Sequence, residues 1–389
     1  MSASVTSFVH QSLRTRVVAR PGAVDELAAE LAALGCRRPL LLASKRIAAG
    51  AMYAKLRLAV QAYSPLEATD IPAHSAVATV LQIAKRVRDE AIDCLVAIGG
   101  GSVSDTAKAV ALIVAEGEPL ERHATRFVPP DRVIAPDLSR PKLPIVAIPM
   151  SASGAEVTPS FGIRTADGTK LLFWDPRLAS SVILLDPVAN LAMPGSVMLT
   201  TGMNGLAHCI EGLYSRNRSP ISSTLALEGI RRFDRSLGNV AREPGQSEHR
   251  AELLLAAHIS GMVLASARSC LHHALCHVLG ASFGVPHGAV NAVILPHAVE
   301  FNAPFVPSEL AAAAGSLGLD GASAGEQFVD WIRLLQRRIG VPTRLRDLGI
   351  ARDSLGAAAA KVMHERGLAY NPRPVGDVAE IEAILISAW

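Results

Sequence analysis

Five of the twelve histidines lie between residues 272 and 297: His272, His273, His277, His287 and His297. His273 and His277 are four apart, so a helix would carry both on one face. His287 stands between Pro286 and Gly288, which suits a sharp turn that presents an imidazole. Upstream, TTGMNGLAHCIEGLY at 200–214 pairs Asn204 with His208 at the same helical spacing. Imidazoles gathered from two helices and a turn can ligate a divalent ion, or hydrogen-bond a reacting oxygen and feed it a proton. His272 points off the shared face, and His297 follows the strand-like AVILP; both read as structural. The isolated His10, His74, His123, His249, His258 and His364 read as hydrogen-bonded core residues.

A second chemical feature is AIGGGSVSDTAKAVAL at 97–112. An apolar run ends at Ile98. Gly99, Gly100 and Gly101 follow, then Ser102, then a helical pattern carrying Asp105 and Lys108. Three glycines let an anion approach the backbone, and the free N–H groups of the helix start can hold a pyrophosphate. The order strand, glycine turn, helix is what dinucleotide binding requires, although the motif is neither GxGxxG nor a Walker A loop. A second apolar run ends at Ser44-Lys45-Arg46. A carboxylate at such a strand end binds the ribose 2′-OH and repels a 2′-phosphate. With Ser44 there and two cations beside it, NADPH should be accepted as well as NADH.

These residues need elements to hold them. PLLLAS at 39–44, DCLVAIGGG at 93–101, LPIVAIPM at 143–150 and SVILLDP at 181–187 read as buried strands. Helical patterns at 23–35 and 75–90 precede the first and second of these, and such alternation implies a parallel sheet covered on both faces. Residues 126–144, rich in Pro and Arg, read as a long surface loop. Beyond about residue 190 the strand signals nearly vanish, and long amphipathic stretches at 221–241 and 249–270 take over. The expected architecture is an α/β dinucleotide-binding domain at 1–190 and an all-α catalytic domain at 191–389.

Composition narrows the function classes. The chain has 389 residues, with 38 basic against 35 acidic side chains, a balance that does not suggest a nucleic-acid binder. Five cysteines with no CxxC pair fit reduced thiols in a cytoplasm. Residues 1–20 contain three arginines and no apolar core of a signal peptide, and no membrane span is expected. The expected partner is a small-molecule substrate.

Taken together, GGGSVSDTAKA, PMSASGAEVT at 149–158, HCIEGLYS at 208–215 and HALCHVLGASFGVPHG at 273–288 resemble the iron-containing alcohol dehydrogenase family. The resemblance implies an N-terminal dinucleotide-binding α/β domain, a C-terminal all-α domain, an active site in the cleft between them, and a homodimer. It puts Ser151 and Ser153 beside the dinucleotide and His277 near the nicotinamide and substrate. The family's metal ligands, an Asp and three His, fall on Asn204, His208, His273 and His287. Asn204 therefore replaces the acid, and a neutral amide is a poor ligand for a hard cation. Iron or zinc would be held weakly and is not expected to be required. The maleylacetate reductase branch is the more similar, through an Asn at that position, LHHALCHVLG at 271–280, Asp175–Arg177 and YNPRPV at 370–375. Its implied activity is NADH- or NADPH-dependent reduction of maleylacetate to 3-oxoadipate or a related short oxo acid, with His277 or His273 as proton donor. The alternative is a metal-dependent dehydrogenase of a small aldehyde or alcohol. A dicarboxylate needs fixed cations, and Arg177 is a candidate with a surface salt bridge as its competing reading. The chain departs from the branch at Ala152, Trp174 and Ala274, in SVSDTAKA and in PHGAVNAV.

Overall fold

The computed structural model describes residues 7–389 apart from His74, Pro130, Asp167, Asp320 and Ala322. Its strands are β1 (Arg16–Ala19), β2 (Pro39–Ala43), β3 (Leu66–Ala68), β4 (Cys94–Gly99), β5 (Arg126–Val128), β6 (Arg132–Ile134), β7 (Ile145–Pro149), β8 (Ser160–Arg164), β9 (Lys170–Trp174) and β10 (Val182–Leu185). The helices of the first half are α1 (Leu27–Ala33), α2 (Lys45–Ala48), α3 (Ala51–Ala59), α4 (Val77–Asp89), α5 (Gly101–Glu116) and α6 (Pro187–Asn190). Those of the second half are α7 (Gly195–Tyr214), α8 (Pro220–Arg242), α9 (Ser247–Ala267), α10 (Leu271–Phe283), α11 (His287–Asn302), α12 (Pro307–Ser316), α13 (Ala324–Ile339), α14 (Leu355–Val362) and α15 (Val378–Ser387).

Six strands form one all-parallel sheet in the order β1-β10-β7-β4-β2-β3. Every residue of β2, β4, β7 and β10 is buried, which is why these strands read as continuous apolar runs. From β2 the chain winds outward to β3, and from β4 it winds the other way through β7 and β10. The direction therefore reverses between β2 and β4, and the crevice outside the strand ends at such a switch point is where ligands bind. Register places Ala43 opposite Ile98 and Gly99 opposite Pro149, so Ser44, the glycine turn and Met150 share one edge.

After β10 no described residue is in a strand. Helix α9 is long and apolar enough to cross a membrane by composition, but it packs against α7 and α8 with Leu253, Leu254 and Val263 buried. Two glycines set the approach of these helices to the sheet. A Cβ on Gly205 would lie 2.5 Å from the Phe233 ring and 2.8 Å from the Ala152 carbonyl. A Cβ on Gly288 would lie 2.9 Å from the Thr200 backbone. Without side chains there, α7 presses on the 150–153 turn and α11 presses on α7.

Two local expectations are corrected. Residues 126–144 are not a featureless loop, since β5 and β6 form an antiparallel hairpin within them. Its alternation over three-residue strands is too short to stand out from a Pro/Arg-rich background. AVILP is helix, not strand: it lies inside α11, with Pro296 in the helix interior. A short apolar run does not distinguish a buried strand from a buried helix. Pro296 has no N–H for the carbonyl of Ala292, and the Gln336 side-chain amide donates to that carbonyl instead.

Candidate active site

The glycine turn opens α5 at the switch point. Gly100 is the N-cap, and the first turn leaves the N–H groups of Gly101 and Ser102 without intrahelical acceptors. A Cβ on Gly100 would come within 3.3 Å of Ser151 Oγ, so only a bare backbone leaves this cradle open. Ser151 and Ser153 are buried beside it, their hydroxyls 3.2 Å apart. Lys108, two turns further along α5, is fully buried and donates to the carbonyls of Ala155 at 2.5 Å and Ser160 at 3.2 Å. It ties the glycine turn to the PMSASGAEVT segment. Asp105 accepts the Gly162 N–H at 3.2 Å, joining α5 to the β8–β9 hairpin. The Ser102 hydroxyl donates to the Ala73 carbonyl, which leaves its backbone N–H as the group facing an anion. Ser44 caps α2 at the end of β2. These surroundings fit a dinucleotide: an open helix start, no Cβ in the way, and a serine at the neighbouring strand end.

A cleft of about 320 Å³ runs from Gly101, Asp105 and Ser153 to the histidines. Asn204 and His208 reach it from α7, His273 and His277 from α10, and His287 from the first residue of α11. All five expected residues thus meet, with His287 starting a helix rather than capping a free turn. The His208 and His273 rings stack at 4.5 Å, and those of His277 and His287 at 5.9 Å. Burial, reinforced by Lys170 at His273, His277 and His287, holds all four imidazoles well below their ordinary pKa, so they are neutral near pH 7.

The donor set does not fit a hard divalent cation. Asn204 offers a neutral amide oxygen, 3.0 Å from His273 Nε2, where the set would need an anionic ligand. The other nitrogen of His273 faces Glu211 at 2.5 Å. The donor atoms that crowd within 4.8 Å of one another belong to Glu211, His272 and His273, and neither Glu211 nor His272 reaches the cleft. Burial raises the Glu211 carboxyl above its ordinary pKa. His208 Nδ1 is buried without a partner among the described residues.

Outside the cluster, His272 bonds the Asn291 carbonyl at 3.1 Å and His297 bonds Ser387 at 2.9 Å, both structural as expected. His123 bonds the Gly117 carbonyl at 2.8 Å. His10, His249, His258 and His364 depart from the core reading: His10 and His249 make exposed contacts with Ser12 and Glu243, His258 Nδ1 has no partner among the described residues, and His364 is exposed. His74 lies outside the described residues. Arg177 is the surface salt bridge, with Nε 3.0 Å from Asp175 Oδ1, and it does not line the cleft.

The cations that do line it are Lys170 on β9, Arg268 after α9 and Arg366 before the YNPRPV tail. Sequence reading missed all three, because each is a lone basic residue in an unremarkable neighbourhood. It also missed Glu365, whose Oε2 lies 3.2 Å from His277 Nδ1. Burial pushes the Glu365 carboxyl up to about 7 despite Lys170 and Arg366 nearby. The tail itself has a positioning role: Asn371 accepts the Leu271 N–H at 3.3 Å and so fixes the start of α10.

A glycine-cradled anion site at a sheet switch point, opening onto neutral imidazoles, belongs to an NAD(P)-dependent oxidoreductase. The chain is a member of the iron-containing alcohol dehydrogenase family. Residues 14–187 match the model described as "Iron-containing alcohol dehydrogenase", and residues 198–389 match "Fe-containing alcohol dehydrogenase family, C-terminal". Within the family it sides with the maleylacetate reductase branch. It is 32% identical to the maleylacetate reductase of Sphingobium indicum over 97% of this chain and 96% of the relative. A maleylacetate reductase structure from Rhizobium sp. superposes with a TM-score of 0.79 at 29% identity, covering 98% of each chain. An iron-containing alcohol dehydrogenase structure from Corynebacterium glutamicum superposes with a TM-score of 0.82 at 28% identity, covering 98% of this chain and 97% of the other.

Proposed function

We propose that the chain reduces maleylacetate to 3-oxoadipate, or reduces an equivalent short oxo acid, using NADH or NADPH and no metal ion. The observation that carries this reading is the Asn204–His273 contact, which stands where an anionic metal ligand would be needed. Residues 1–190 hold the dinucleotide, through Gly99, Gly100, Gly101, Ser102 and Ser151, and residues 191–389 supply the acid. A bound reduced nicotinamide supplies the hydride. The chain's own task is to stabilise the negative charge that develops on the substrate oxygen and to return a proton.

His277 is the group placed for that task. Its Nδ1 faces Glu365, which carries its proton below about pH 7, and its other nitrogen is free to donate toward the cleft. Hydride added to the conjugated C=C leaves an enolate; its oxygen takes the proton from His277 Nε2, Glu365 replaces it at Nδ1, and the enol tautomerises to the saturated ketone. The imidazole stays neutral throughout, which its burial favours. The test is NADPH oxidation by purified protein with maleylacetate against simple aldehydes, with and without chelator. Turnover of the oxo acid that survives chelation is expected. Stoichiometric iron or zinc, with aldehyde reduction lost on chelation and restored by the ion, would establish the metal-dependent alternative.

A further inference from the structure

The cleft wall away from the imidazoles holds a pair of guanidinium groups that the protein itself does not neutralise. Arg268 closes α9 with φ 69° and ψ 163°, a backbone region that is nearly exclusive to glycine. That conformation lays its guanidinium 4.1 Å above the Trp174 ring. Arg366 donates to two neutral hydroxyls, Thr125 Oγ1 at 2.9 Å and Ser160 Oγ at 2.7 Å. Among the described residues no ion pair includes Arg268 or Arg366, and the charge of Arg268 disfavours that of Arg366. Glu365, the acid nearest to Arg366 in its influence, is turned to His277. The indole N–H of Trp174 is buried and also lacks an acceptor among the described residues.

Repelling cations, a strained backbone that aims one of them and an unmet N–H donor share one requirement, an anionic oxygen group from outside the chain. We propose that Arg268, Arg366 and the Trp174 indole N–H form the subsite for a substrate carboxylate. It holds the acid end of the molecule while the carbonyl end lies toward His277. The proposal rests on the oxo-acid reading above and names the residues that select the acid.

The test is calorimetric titration of the full chain, with NADP⁺ present, by succinate and by uncharged succinamide. Succinate should bind and succinamide should not. Arg268→Gln removes a charge-assisted contact and should raise the succinate Kd about 10- to 100-fold. It should leave the NADPH Kd unchanged and raise the KM for maleylacetate more than it lowers kcat. Arg268 has no side-chain hydrogen bond to the described residues, so the variant should fold. Arg268→Gly should raise the melting temperature by relieving the backbone while weakening succinate to the same degree. Arg366→Lys, which keeps the charge and loses the two hydroxyl contacts, should fall between. Equal succinate affinity in wild type and Arg268→Gln overturns the subsite, as does equal binding of succinamide. A parallel loss of NADPH affinity also overturns it and assigns the pair to cofactor phosphates. If no oxo acid is reduced but succinate affinity still depends on Arg268, the subsite stands and the reductase reading falls. If maleylacetate turns over with succinate affinity unchanged in Arg268→Gln, the reverse holds.

Discussion

Asn204→Asp replaces an amide nitrogen with oxygen in a site only 5% exposed, so steric change is negligible and the effect is charge. A carboxylate oxygen would stand 3.0 Å from His273 Nε2, where the amide oxygen is now. At that distance a unit charge pair is worth roughly 5 kcal/mol with an effective dielectric of 20. Burying the new carboxylate costs several kcal/mol, and the neighbouring imidazoles are neutral, so nothing offsets it until His273 protonates or a cation enters. The metal-free variant should therefore lose about 1–3 kcal/mol of stability. A divalent ion should restore it, because the fourth ligand is now anionic. The assay is the melting temperature of wild type and variant with chelator and with Zn²⁺, beside metal content after equilibrium dialysis. Zinc should bind the variant at least about tenfold more tightly, or 1.4 kcal/mol. Maleylacetate turnover should fall, since a carboxylate would stand beside the negative charge that develops on the substrate oxygen. Wild type that carries one ion per chain and loses activity on chelation would refute the reasoning, as would a variant whose zinc affinity is unchanged.

Other perturbations probe the rest of the site. Gly100→Val should weaken NADPH binding roughly 100-fold, about 2.7 kcal/mol, because its Cβ already meets Ser151 at 3.3 Å and the methyls would fill the cradle; fluorescence titration of a folded variant that binds normally would remove the turn from the site. Ser44→Asp should shift the NADPH/NADH ratio of kcat/KM toward NADH by about tenfold through repulsion of the 2′-phosphate, and an unchanged ratio would place the ribose elsewhere. Glu365, pushed up to about 7, is protonated below that pH and ionised above it, so the reduction rate should fall as pH rises through about 7. Glu365→Gln should lower kcat and erase that inflection in the pH–rate profile; an identical profile would exclude Glu365 as the proton source. His277→Ala should lose most of kcat in a steady-state assay while NADPH binding persists.

Burial patterns and local spacing were legible in the chain because they are properties of neighbouring residues. The four strands buried on both faces announce themselves as unbroken apolar runs, and the i, i+4 pairs at 204/208 and 273/277 need only a helix to share a face. The glycine turn was visible for the same reason, as strand end, turn and helix start are consecutive. The hairpin strands β5, β6, β8 and β9 escaped notice because three to five residues of mixed polarity carry little periodicity.

What the tertiary structure decided concerns charge brought together across long separations. Glu365 meets His277 from 88 residues away, and Arg366 bonds Ser160 across 206. Arg177, the cation that the sequence offered, turned out to neutralise Asp175 two residues back. The chain by itself determined the parallel sheet, the glycine turn and the Asn204/His208 pairing, which follow from residue type and spacing, while its family resemblance marked Asn204 as standing in place of an acid. Only folding determined that Asn204 is hydrogen-bonded to His273, that burial lifts the Glu365 carboxyl to about 7, and that two arginines face a cleft without a counter-ion among the described residues, because burial and Coulomb energy depend on distances that sequence does not contain.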